Sequence, residues 1–190
     1  MWRELYRLSM TASQGPDYFA LFGLEPRFDL DLEQLSLRYR ELQRSAHPDR
    51  FANASSQERL LSVQQAALIN EAYQVLRQPL SRGRYMLSRH GANLDDTDTR
   101  MDTAFLMEQM ELREALAGVA SASDSFEQLD KLRDRIEAME RDMVAHLQQL
   151  LQQPVDETVL DAGIQLVRKM QFTQRLLGEV DELEETLAHV

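Results

Sequence analysis

His47-Pro48-Asp49, with Arg50 and Phe51 directly behind, sets a rigid proline between an imidazole and a carboxylate, and no packing argument requires that order. The chemistry such a group supports is docking. Pro48 stiffens the chain, and the Asp49 carboxylate is free to be gripped by a partner's arginine through charge-assisted hydrogen bonds. The plainer alternative is a helix ended by proline with a turn-forming aspartate after it. Arg40 and Arg44 stand four residues apart just upstream. They share a helix face and would offer positive charge to an acidic surface, although a merely solvated face looks the same. Other reactive chemistry is poorly represented. The chain has no cysteine, so it can supply no thiolate to a metal or an iron-sulfur cluster. Its four histidines, His47, His90, His146 and His189, lack ligand-pair spacing. No nucleophile-base pair or glycine-rich phosphate loop stands out, so no catalytic residue, metal site or cofactor is expected.

Two helices must hold the His47 loop. Leu32, Leu35, Tyr39, Leu42 and Ala46 recur at a spacing that puts all five on one stripe of a helix. That helix stops at His47, because proline disfavours helical geometry in the residue before it. Ser55 and Glu58 have the spacing of a capping box, so the next helix is expected to begin near Ser56 and run through Leu76. The result is an antiparallel hairpin joined by residues 47–54. A further helix is bracketed by Pro79 at its start and Gly91 just beyond His90.

From Gly91 the composition turns polar and acidic, the mark of a linker over residues 91–101. Three more helices follow, over about 103–118, 124–152 and 156–188, with short breaks that make neighbours antiparallel. They form a three-helix bundle, in which Leu129, Leu132, Ile136, Met139, Met143 and Leu147 face the core. Helix formers dominate and strand signals are nearly absent, so the fold is expected to be all-α. Residues 1–15 read as a poorly ordered extension.

The first helix after the linker carries a conflict. Ala104, Phe105, Leu112, Ala115, Leu116 and Val119 fall on one side of a helical wheel, with Glu108 among them, while Leu106, Met107 and Met110 fall roughly opposite. A three-helix bundle buries one broad face of each helix. The second face is therefore either packed against the preceding helical unit or exposed as a Met-rich patch rimmed by Glu111 and Glu114, suited to a protein partner.

The balance of 32 acidic against 21 basic residues gives a net charge of -11, which repels a phosphate backbone and makes nucleic acid an improbable partner. No apolar run approaches the roughly 20 residues that span a bilayer. A soluble, cytoplasmic protein without membrane contact is expected.

Asp17-Tyr18-Phe19-Ala20-Leu21-Phe22-Gly23-Leu24 ahead of the hairpin, the His47-Pro48-Asp49 loop, and Ile69-Asn70-Glu71-Ala72-Tyr73-Gln74-Val75-Leu76 behind it together resemble a J-domain. The likeness continues through Pro79 to Leu87 and into Asp102-Thr103-Ala104-Phe105-Leu106-Met107-Glu108-Gln109-Met110-Glu111-Leu112-Arg113-Glu114, and the combination resembles the HscB family of J-type co-chaperones. The resemblance implies a J-domain over 16–90, an antiparallel helical hairpin with flanking helices, and a C-terminal three-helix bundle over 102–190. It implies that His47, Pro48, Asp49, Arg40 and Arg44 bind a dedicated HscA-type chaperone and stimulate its ATPase. It also implies that Leu106, Met107, Met110, Glu111 and Glu114, with Phe172 from the last helix, bind an IscU-type scaffold protein. Two departures stand out. Asp31, Glu33 and Glu41 balance Arg38, Arg40 and Arg44, leaving residues 31–46 formally neutral, and Gly118 stands where the family often has an acidic residue. Two other readings are a general J-protein delivering unfolded clients and a structural helical adaptor whose His47 loop is incidental. The chain lacks the Gly/Phe-rich and cysteine-rich regions that general J-proteins often carry.

Overall fold

The computed structural model describes residues 16–47, 55–94, 101–122 and 124–189, which divide into two compact units, Met1–Arg89 and His90–Val190. Among the described residues there are seven helices and no strand, so the all-helical expectation holds. Residues 1–15 and most of the 91–101 linker, 95–100, lie outside the described part.

In the first unit, α1 (Tyr18–Phe22) is a five-residue helix that the periodic pattern could not reveal. It forms because Asp17 accepts from the backbone N–H groups of Phe19 and Ala20 at its start, while Gly23 ends it in the left-handed region at φ 63°. Arg89 holds the same Asp17 carboxylate with two hydrogen bonds of 3.1 and 3.0 Å, tying α1 to α4 (Pro79–Arg89). Phe19, Leu21 and Phe22 are buried.

Helices α2 (Leu32–Ala46) and α3 (Ser56–Arg77) form the antiparallel hairpin. Leu35, Leu42 and Ala46 are buried along the expected stripe and Tyr39 is half-buried, but Leu32, the first helical residue, is exposed. Polar rungs set the register: Ser36 and Tyr73 hydroxyls meet at 3.2 Å, and the Tyr39 hydroxyl donates to Asn70 at 2.9 Å. The Tyr39 and Tyr73 rings stack at 4.1 Å. Ser55 and Glu58 make the expected reciprocal capping box. At the other end of α3, Pro79 holds Gln78 extended, and the buried Arg82 guanidinium donates to the orphan carbonyl of Leu76 at 2.5 Å while lying over the Phe28 ring.

The second unit is a bundle of α5 (Thr103–Val119), α6 (Ser125–Leu150) and α7 (Glu157–Ala188). Its core gathers Phe105, Leu112 and Val119 from α5, Leu129, Leu132 and Ile136 from α6, and Phe172, Leu176 and Val180 from α7. The six heptad-like residues of α6 all face inward, five buried and Met139 half-buried. Ala104 and Ala115, expected on the core face of α5, are exposed instead, because about 100° per residue sets them roughly a quarter turn from the Phe105 and Leu112 stripe, at the margin of that face. Arg133 of α6 pairs with Asp181 and Glu184 of α7, and further along α6 Glu140 accepts from Gln174, earlier in α7, so the two helices run antiparallel.

Candidate functional site

Two surfaces of different chemistry emerge, one in each unit. In the first unit, α2 ends where Pro48 dictates: His47 is its cap residue, extended at φ -61° and ψ 127°, and exposed. Pro48 and Asp49 lie outside the described residues. Arg40 and Arg44 are exposed on the side of α2 away from Leu35 and Leu42. Arg40 folds its Nε back onto the Ser36 carbonyl at 3.3 Å, and Arg38 is engaged with Glu41 at 3.3 Å.

The hairpin behind this loop is braced at its far end. The Tyr18 ring stacks on Tyr85 at 4.5 Å, and its hydroxyl donates to Glu71 of α3 at 2.8 Å. Burial, helped by the neighbouring Glu71 carboxylate, pushes the Tyr18 hydroxyl well above the ordinary phenol range, so it stays a donor. Tyr85 is raised by burial as well, and its oxygen accepts from the Tyr18 N–H at 2.9 Å. Asp17, Arg82 and Arg89 were not singled out from sequence for these bracing roles. The flanking signals that could have found the first were an N-cap aspartate and a C-cap glycine five residues of helix apart.

In the second unit the two faces of α5 differ in exposure. Phe105, Leu112 and Val119 are buried, whereas Leu106, Met107 and Met110 retain 42%, 61% and 72% of their accessible surface. Helices α6 and α7 therefore cover one face of α5 and leave the Met-rich face bare. Glu111 and Glu114 are exposed beside it, and Arg135 of α6 reaches Glu111 at 3.5 Å and Glu108 at 3.8 Å. Glu108, which looked misplaced on the core face, is thus held at its edge by an ion pair.

Phe172 is placed differently. It is buried and meets Phe105 edge to face at 5.7 Å, with the Arg113 guanidinium over its ring. It supports the bare face from beneath and is not part of the exposed surface. The start of α5 is fixed by Asp102, which accepts from the Phe105 N–H at 2.8 Å and pairs with Lys169 at 2.6 Å. Those bonds, the Lys169 ammonium first among them, hold the Asp102 carboxyl below its usual range.

Comparison with known proteins agrees with this layout. A family model described as the HSCB C-terminal oligomerisation domain matches residues 101–181. The chain is 45% identical over 172 residues to the co-chaperone protein HscB homologs of two Aliivibrio fischeri strains, MJ11 and ATCC 700601 / ES114, covering 90% of this chain and 98% of each relative. Among solved structures it resembles chaperone HscB from Vibrio cholerae, with a TM-score of 0.79 and 42% identity over 90% of this chain and 99% of that one. It also resembles human co-chaperone protein HscB, with a TM-score of 0.81 and 28% identity over 91% and 84% of the two chains. Identity of this extent across both units, with the same helical architecture, shows that the chain belongs to the HscB family of co-chaperones.

Proposed function

We propose that this co-chaperone acts in the cytoplasm as an adaptor between two proteins of iron-sulfur cluster assembly. The α5 face of Leu106, Met107 and Met110, rimmed by Glu111 and Glu114, binds an IscU-type scaffold protein, with Phe172 stiffening the helix behind it. The His47-Pro48-Asp49 loop, with Arg40 and Arg44, docks on an HscA-type chaperone and favours its hydrolysis-competent state. The ATPase residues belong to the chaperone, and a co-chaperone shifts its equilibrium only by binding one state more tightly than the other.

The observation that carries this reading is the bare Met-rich face of α5, directly opposite the face buried by the bundle. Methionine side chains are flexible and polarisable, which suits a surface that must mould to a partner. A second copy of the chain is the competing occupant, since the matched family model is described as an oligomerisation domain.

The test is steady-state ATPase of an HscA-type chaperone with this protein and the scaffold added singly and together. Synergistic stimulation is expected. Asp49→Ala should abolish stimulation and leave scaffold binding intact, while Leu106→Ala with Met110→Ala should do the reverse. Loss of both activities from either change in a folded protein would overturn the two-surface reading. Stimulation indifferent to the scaffold would favour a general J-protein. Loss of self-association without loss of scaffold binding in the α5 variant would assign that face to a second copy.

A further inference from the structure

The hairpin rungs locate a surface that the docking proposal does not use. Ser36 lies against Tyr73, Tyr39 against Asn70, and Gln43 also against Asn70. Continuing that antiparallel register at about 1.5 Å per residue brings the last residue of α2, Ala46, level with a point between Val63 and Ala67 of α3. Helix α3 begins at Ser56, so its first two turns project past the end of its partner. The chain leaves α2 at the foot of this overhang, at His47, and enters α3 at its tip, at Ser55.

An overhanging helix end keeps most of its surface in water; the buried stripe of α3 reaches Ser62 at 1% exposure, and polar residues would be the solvent-compatible choice on the remaining faces. This one carries Leu60, Leu61 and Val63 within four positions, and Leu60 and Val63 keep 58% and 52% of their accessible surface. The Ser55 and Glu58 capping box holds the same two turns in helical form, so the apolar residues are presented by a preformed element. Residues 31–46, on the other flank of the loop, carry three acidic and three basic side chains, with Arg38 already engaged by Glu41. Long-range attraction from α2 is therefore weak, and much of the affinity at this end of the hairpin must come from burial of apolar surface.

We infer that Leu60 and Val63 on the overhanging start of α3 form an apolar contact with the DnaK-type chaperone, seated on an apolar strip beside the group that grips Asp49. This inference rests on the docking role proposed for the His47 loop and supplies the contact that sets affinity there. Asp49 selects the chaperone state, while Leu60 and Val63 hold the complex together. The contact is continuous with the loop, because the loop ends at the residue that caps α3.

The experiment compares wild type, Asp49→Ala, and Leu60→Gln with Val63→Gln in chaperone ATPase titrations at low and high salt, with circular dichroism and sedimentation on each protein. The α3 variant should keep its helical signal and reach the wild-type ceiling of stimulation, but need about tenfold more protein to do so at both salt concentrations. Leu60→Met with Val63→Ile should restore the wild-type midpoint. A midpoint unchanged in the glutamine variant, with Asp49→Ala still inactive, would overturn the α3 contact and leave the docking role standing. An Asp49→Ala protein as active as wild type would overturn the docking role and this inference with it. A wild-type dimer that the glutamine variant converts to monomer, with stimulation unchanged, would overturn the inference in favour of a second copy on this surface.

Discussion

Helices α2 and α5 are built to the same plan and finished differently. Each buries one stripe against its neighbours, Leu35, Leu42 and Ala46 in α2 and Phe105, Leu112 and Val119 in α5, and each leaves its opposite side in solvent. On α2 that side carries Arg40 and Arg44 in a segment of balanced charge. On α5 it carries Leu106, Met107 and Met110 above two glutamates. Charge at an exposed rim chiefly alters association rate and salt dependence, whereas apolar surface removed from water supplies affinity. The contrast suits the proposed division of roles, with a charge-steered contact through α2 and an apolar contact through α5.

The sharpest way to break the comparison is to exchange the roles of the two faces of α5. Leu112 has no accessible surface, and Leu112→Ala should destabilise the bundle by about 2–5 kcal/mol in urea unfolding. Met110→Ala, on the bare face, should stay within about 0.5 kcal/mol of wild type. Similar losses from both would mean that the second face is packed in solution. Next in size is the binding effect. Met107→Ser with Met110→Ser should weaken scaffold binding by roughly tenfold or more by calorimetry, as expected for central apolar anchors, with unfolding unchanged. A smaller effect is expected from α2. Arg40→Ala with Arg44→Ala should reduce chaperone stimulation only a few-fold, and raising the salt should bring wild type down toward the variant. A loss as deep as that of Asp49→Ala would show that the arginines grip the chaperone and do more than steer it.

The sequence made the repeating parts of this layout legible. Period is a local property, so the Leu35 to Ala46 stripe, the Ser55 cap and the six inward residues of α6 could be read directly. Helix α1 could not, because five residues complete little more than one turn and show no repeat. Leu32 matched the stripe yet stays exposed, since matching the period does not supply a neighbour to pack against at the first turn. The bare face of α5 was legible as a second apolar stripe, while its exposure depended on where α6 and α7 run. Phe172 shows the same limit from the other side. Resemblance placed it with the scaffold-binding residues, and the bundle packs its ring under Phe105. Arg82 is outside any periodic logic, as its burial follows from the unpaired carbonyl of Leu76 that α3 leaves at its end.

The smallest expected effect concerns the residue that anchors α5. The Asp102 carboxyl is held below its ordinary value near 3.8, first by the Lys169 hydrogen bond and then by the Phe105 N–H. A carboxyl whose folded value is depressed binds fewer protons in the folded protein than in the unfolded chain. Its contribution to stability is therefore complete above the ordinary value and is lost as pH falls through the folded one. Asp156, which caps α7 and is lowered by Thr158 and Val159, acts in the same direction. Asp102→Asn keeps a good N-cap residue but removes the charge that pairs with Lys169. The melting temperature of wild type should thus exceed that of Asp102→Asn at neutral pH, and the gap should close below about pH 4 as the carboxyl protonates. A gap that widens on acidification would break the assignment of Asp102 as a charged anchor. The bare face of α5 would then owe its position to the core packing of Phe105, Leu112 and Val119.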